Sequence, residues 1–293
     1  MATKTKKRKH KSQQEIFNDI QKDMDTMIKV FKSANIDGEY TELIYDLEYC
    51  RSSAGIDQET NRIEWQRKFR CKHHYCPTCN FFRNRVELKR FYGTVPIMKA
   101  DPKFKNGKLW LLTLKLPPHH MLETREMINF INAALRRFMN YKHPKNSTQK
   151  DNKLPGNSLK DIEVEHSKFL HVGFNTYQPS ATVHLHLVLF TGSNFESGKR
   201  RITDGMILER WKKATRSPDC YVHKVEIKDT TQDAVDTMAY GLKTLKVKSI
   251  KKHPAKFLEL FEELNGKHRF SHSKEIRSIR TDLNKQYQQS NKA

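Results

Sequence analysis

Two histidines one residue apart, His184 and His186, lie in the run Val183-His184-Leu185-His186-Leu187-Val188-Leu189-Phe190. In an extended strand alternate side chains share a face. The imidazoles therefore point one way, and Val183, Leu185, Leu187 and Leu189 the other. Polar rings beside a buried face are costly unless something binds them. A divalent metal held by neutral ring nitrogens is one answer, and hydrogen bonding beside a core is the other. A second cluster is Cys71-Lys72-His73-His74-Tyr75-Cys76-Pro77-Thr78-Cys79, with Cys50 upstream. Zinc takes four tetrahedral ligands, and two thiolates separated by two residues can fold around one ion. Cys76 and Cys79 supply that pair. Cys50 and Cys71 are the best remaining ligands, and His73 or His74 can replace either. A redox pair or unrelated buried cysteines compete with this reading, and Cys220, which stands alone, reads as a buried thiol.

A third group lies on a helix expected over Thr231 to Lys246. Asp236, Tyr240 and Lys243 are spaced i, i+4, i+7 opposite an apolar stripe of Val235, Met238, Leu242 and Leu245. A phenol is a weak nucleophile near its ordinary pKa of ~10 and needs a cation or metal nearby. Lys243 is placed to lower that value or to steady a phosphate, and Asp236 to act as a general base. A solvated row of i, i+4 pairs has the same spacing.

The elements that must position these groups follow from periodicity and breakers. Apolar residues at helical spacing run from Gln13 to Ile36. The cysteine module covers about 40–80 and enters a basic helix, Asn80 to Phe91, in which Arg83, Arg85, Lys89 and Arg90 are candidate DNA contacts. A strand over Leu109 to Leu116 is stopped by Pro117-Pro118. A helix follows with Met127, Ile128, Ile131, Ala134, Leu135 and Phe138 on one face, then a polar loop over 143–160. Strands Lys168 to Asn175 and Val183 to Phe190 read as a hairpin. A helix from Thr203 to Lys213, a strand Tyr221 to Lys228, the tyrosine helix, and a helix between Pro254 and Gly266 complete the order. That order, β-α-β-β-α-β-α, predicts an α+β fold: an antiparallel sheet with the His-x-His strand central, backed by helices, plus a small N-terminal zinc-binding module. The expected segments are a basic arm (1–12), a helical and Cys-rich zinc module (13–100), a nuclease domain (105–248) and a C-terminal helical extension (249–293).

The balance of 55 Lys and Arg against 33 Asp and Glu gives a formal charge of +22 and a pI near 9.7. Such a charge calls for a polyanionic partner, nucleic acid above all. No long apolar run suggests a membrane span. The lysine-rich start, Met1 to Lys11, is not followed by the apolar stretch of a secretory signal, so a cytoplasmic location with reduced thiols is expected.

Four of these features in this order resemble the rolling-circle replication initiators of small plasmids, the single-tyrosine branch of the HUH endonucleases. The strand ending Leu112-Thr113-Leu114 is similar to the family's first motif, and His184-Leu185-His186 to its His-hydrophobic-His motif. Arg70-Cys71 and Cys76-Pro77-Thr78-Cys79 are similar to the cysteine segment of the plasmid branch, and Thr231 to Lys243 to the tyrosine motif. The compatible spacing spans about 45–275. Asp236 stands where the family usually has Glu, and Ala239 where it has a lysine. The resemblance implies a third metal ligand on the neighbouring strand, where His171 occupies the position of the family's Glu. It also implies Mg2+ or Mn2+ at the nuclease site, structural zinc, a 5′-phosphotyrosyl intermediate on Tyr240, and a free 3′-OH primer. The implied partners are origin DNA, a host helicase and a host DNA polymerase. Tyr177 is a competing nucleophile without a carboxylate–lysine row. A non-catalytic zinc-containing DNA-binding regulator, or an HUH transposase or relaxase, are the alternative functions.

Overall fold

The structure, a computed structural model, describes residues 11–73, 75–116, 124–140, 164–174, 181–195, 202–228, 238, 247–264 and 270–290. It divides into two compact units. One is built from the chain up to Arg83 together with Thr244–Asn265, the other from Asn84–Lys243 together with the chain from Gly266 onward. Neither unit is a single stretch of sequence, a feature that composition and periodicity do not encode.

In the first unit, helix α1 (Gln13–Ala34) starts at Ser12. The Ser12 hydroxyl accepts from the Glu15 N–H at 3.2 Å, and the Glu15 carboxylate accepts from the Ser12 N–H at 2.7 Å. This reciprocal cap satisfies donors that a helix start leaves orphaned. The buried stripe of α1 is Met24, Met27, Ile28 and Phe31. Helix α2 (Thr41–Ser52) and the hairpin of β1 (Ala54–Asp57) with β2 (Arg62–Trp65) follow. Phe31 meets Phe257 and Phe261 edge-on, with ring centroids 6.0 and 5.0 Å away. Those phenylalanines come from the helix Pro254–Leu264, so aromatic packing carries that distant segment into this unit.

Helix α3 (Pro77–Ala100) leads into the second unit, where five antiparallel strands form one sheet. These are β3 (Leu109–Lys115), β4 (Val164–Phe174), β5 (Ala181–Thr191), β6 (Tyr221–Ile227) and β7 (Phe270–His272), in spatial order β6-β3-β5-β4-β7. The histidine strand β5 is thus the middle of the five, as expected. Gly107 helps fix the register. A Cβ there would fall 1.5 Å from the Thr191 carbonyl oxygen, so only glycine lets the start of β3 lie this close to the end of β5. Reciprocal bonds between Lys108 and Thr191 hold the two together. Because a one-residue slip would turn every side chain to the other face, this clamp is what sets Thr113 opposite His186 and Lys115 opposite His184.

The two faces of the sheet have separate partners. On one, Leu109, Leu111, Phe169, Val188, Phe190 and Ile227 pack with Phe91, Val95 and Met98 of α3, with Met238, and with Ile276 of the C-terminal helix Lys274–Ser290. On the other lie helices α4 (Thr124–Asn140) and α5 (Asp204–Thr215). Phe138 meets Trp211 edge-on at 5.8 Å, and the Trp211 indole N–H donates to the Lys115 carbonyl at 2.9 Å.

A buried polar network closes the edge of the second unit. The Glu87 carboxylate accepts from Arg280 and, at 3.1 Å, from Arg90, while His272 Nδ1 lies 2.9 Å from the Ser167 hydroxyl. Burial, reinforced by the Arg280 charge, pushes His272 from its ordinary 6.5 down to about 3. The unfolded chain binds this proton below pH 6.5 and the folded chain does not until near pH 3. Acid therefore favours unfolding across that window, by about 1.4 kcal/mol per pH unit at most. The variant His272→Gln is expected to lose about 2 kcal/mol less stability than the unaltered chain between pH 7 and 4.5, read from urea unfolding at both pH values.

Candidate active site and metal centres

The β4–β5 register places His171 opposite His184, and His186 follows two residues on along the same face of β5. Phe169 shares that face on β4, as do Val188 and Phe190 on β5, so one sheet face is apolar at one end and histidine-lined at the other. His171 Nδ1 and His184 Nε2 are 2.7 Å apart. Each of the three rings offers a ligand nitrogen, and these nitrogens all lie within 4.8 Å of one another. His186 is buried, while His171 and His184 are half-buried. Burial, with the charges of His171, His186 and Lys115 adding to it, pushes His184 from 6.5 down to about 2. The ring therefore keeps its lone pair at neutral pH, as a metal ligand must. The Thr113 hydroxyl lies 3.0 Å from His186 Nδ1. When Nδ1–H donates to it, Nε2 is the nitrogen left to bind a cation, and the hydroxyl acts as the outer partner that orients the ligand. Three neutral imidazoles with open positions suit a divalent ion that also takes phosphate oxygens.

Thr113 and Lys115 are site residues that residue types alone did not single out. Both flank the histidines through strand register, a long-range property with no local signal.

The four cysteines Cys50, Cys71, Cys76 and Cys79 converge in the first unit. Their sulfurs all lie within 4.8 Å, with separations of 3.6 Å (Cys50–Cys76), 3.5 Å (Cys50–Cys79) and 3.6 Å (Cys71–Cys79). Sulfurs ~2.3 Å from a tetrahedral zinc ion would be about 3.8 Å apart, so the donor set fits that ion. Cys50 comes from the end of α2, Cys79 from the first turn of α3, and Cys76 from the residue just before that helix. Hydrogen bonds from the other three thiols, Cys50 first, pull Cys79 far below the ordinary thiol value, while burial pushes Cys76 up. His73 faces Asp46, with its Nε2 3.7 Å from the carboxylate. Cys220 is buried apart from the cluster. Treating the purified chain with a strong chelator is expected to release one zinc per chain, measured by mass spectrometry of the metal. Loss of thermal stability should accompany that release, because metal binding at such a site is part of the folding free energy. The variant Cys79→Ala should be isolated without that zinc.

Of the basic helix residues, Arg85 and Lys89 are exposed. Arg83 donates to the Lys72 carbonyl at 3.2 Å. Arg90 is turned inward, donating to Glu87 and, through Nε at 3.1 Å, to Asn284. Asp236, Tyr240 and Lys243 lie outside the described residues, as do Tyr177, His74, the basic arm as far as His10 and the expected loop over 143–160. Met238, two residues before Tyr240 in the chain, is fully buried in the core on the histidine face of the sheet. Among the described residues, no helix is long and apolar enough to cross a membrane.

A family model described as "Replication protein" matches residues 62–293. No curated protein and no solved structure matches.

Proposed function

The chain belongs to the replication-protein family, and from that premise we propose that it initiates rolling-circle replication of a plasmid by nicking one strand of the origin through single-tyrosine HUH chemistry. The observation that carries the reading is the convergence of His171, His184 and His186 on one face of the adjacent strands β4 and β5. The net charge of +22 supplies the electrostatic attraction to DNA, and the exposed cations Arg85 and Lys89 add to the positive surface of the helix.

His171, His184 and His186 would hold a divalent cation, which would supply Lewis-acid polarisation to the scissile phosphate. The protein's own residues do the rest. Lys243 favours the phenolate of Tyr240, and the phenolic proton passes to Asp236 or to water. The Tyr240 oxygen bonds to phosphorus, the bond from phosphorus to the 3′ oxygen breaks, and the 3′ oxygen takes a proton from water to leave as the hydroxyl that primes synthesis. The phosphotyrosyl bond conserves the energy of the broken phosphodiester, so a later 3′-OH can rejoin the strand without ATP. Asp236 deprotonates that hydroxyl, or water, at termination. A host helicase and a host DNA polymerase are the partners that the family resemblance implies.

The test is incubation of the chain with labelled single-stranded DNA tiled across the replicon that encodes it, with and without Mn2+ or Mg2+, followed by a denaturing protein gel. A metal-dependent labelled protein band is expected. Tight, salt-sensitive duplex binding with no such band would instead mark a zinc-containing DNA-binding regulator.

A further inference from the structure

The first unit carries a set of aromatic rings that nicking chemistry does not use. Tyr45 and Tyr49 lie one turn apart on α2, with ring centroids 6.1 Å apart, and are 63% and 37% exposed. Phe69 meets Tyr49 edge-on at 4.8 Å, and the Arg67 guanidinium lies 5.7 Å from the Tyr49 ring centroid. Nearby in the chain, Arg70 lies 5.0 Å over Trp65. The segment from Trp65 to Arg85 contains Arg67, Lys68, Arg70, Lys72, Arg83 and Arg85 and no carboxylate. Two carboxylates on α2 are already engaged, Glu48 with Lys32 at 2.6 Å and Asp46 with His73.

Exposed tyrosine rings interleaved with guanidinium groups match what an unpaired nucleic acid strand asks of its binder. Every base has a π-face for an aromatic ring, and the backbone follows the cations. A duplex cannot use the ring faces, because its bases already stack on each other. Phosphate attraction alone would need the arginines and lysines but not Tyr45, whose ring lies mostly in solvent.

We infer that the surface formed by Tyr45, Tyr49, Phe69 and Arg67 is a base-stacking site for unpaired single-stranded DNA, distinct from the histidine site in the other unit. The inference rests on the reading of the chain as an origin-binding protein but not on the nicking step. It gives the cysteine module a selective role: to hold the strand where the origin is open.

The experiment uses the zinc-loaded full chain without added catalytic metal. Fluorescence anisotropy compares a labelled dT12 oligonucleotide with a duplex of the same length, over a range of salt concentrations. Tyr45→Ala is expected to weaken dT12 binding by about tenfold, within the span of one aromatic stacking contact, and to leave duplex binding unchanged. Tyr45→Phe should keep affinity within about twofold, because the ring remains. Tyr45→Ala should also leave the salt slope unchanged, whereas Arg67→Ala should reduce it by about 0.7, the value of one phosphate contact on a single strand. Zinc content, measured on each variant, confirms that the module is folded. Equal losses on dT12 and duplex, or undiminished dT12 binding by the Tyr45→Ala/Tyr49→Ala double variant, would overturn the inference. Failure of the nicking reading appears elsewhere, as absence of a covalent adduct in the unaltered chain.

Discussion

His184→Ala is expected to lower metal-dependent cleavage by roughly a thousandfold, the scale of the several kcal/mol that a bound cation contributes to a phosphoryl transition state. DNA binding without metal should change little, because the variant removes a half-buried ring packed against two other imidazoles and no basic side chain. The donor set also predicts which metal works. Three neutral imidazoles carry no charge and favour later, softer divalent ions, while Mg2+ prefers carboxylate oxygen. Mn2+ should therefore support cleavage at concentrations well below those needed for Mg2+. Replacing His171→Glu restores an oxygen ligand and a negative charge, and should narrow that gap by raising activity in Mg2+. Titration of each metal against cleavage rate in the three proteins checks both statements. Equal rates for His184→Ala and the unaltered chain would remove the histidines from the reaction. Thr113→Val, which keeps the shape and removes only the hydroxyl facing His186 Nδ1 at 3.0 Å, should show a milder defect, about 10- to 100-fold in metal affinity.

Local pattern made some of this architecture legible and left the rest to the register. The alternation of β5 shows in its residues because one face carries imidazoles and the other aliphatic side chains. The stripe of α4 shows because it repeats at helical spacing, and Met127, Ile128, Ile131, Leu135 and Phe138 are indeed buried. Strands of three or four residues have too few positions to show a period, which is why β1, β2 and β7 have no sequence signature. The expected helix ending at Phe91 runs on to Ala100, although Pro96 lies inside it. Phe91, Val95 and Met98 continue its apolar stripe into the core, and that burial outweighs a missing backbone donor. The four cysteines were nameable from type and spacing. That Cys50 belongs with them depends on α2 returning its C-terminal end to the start of α3. Likewise the partners of Arg90 inside the protein, Glu87 and Asn284, follow from the fold and not from its place in a basic helix.

Tyr240→Phe should abolish the covalent protein–DNA adduct and slow strand cleavage by on the order of 10^4-fold or more, the scale of removing a nucleophile from a site that is otherwise intact. The change deletes one oxygen and keeps the ring, so affinity for origin DNA should stay within about twofold; electrostatic contacts made by other residues dominate it. Asp236→Ala separates the two halves of the reaction. If the carboxylate serves the second step, the first nick should proceed and the adduct should accumulate, because neither water nor the returning hydroxyl is deprotonated. The two variants should therefore give opposite gels from the same substrate, no labelled protein for Tyr240→Phe and persistent labelled protein for Asp236→Ala. A labelled band that survives Tyr240→Phe would move the nucleophile to another tyrosine, with Tyr177 the first to replace. Loss of the band in both variants would place Asp236 in the first step, as the base that takes the phenolic proton.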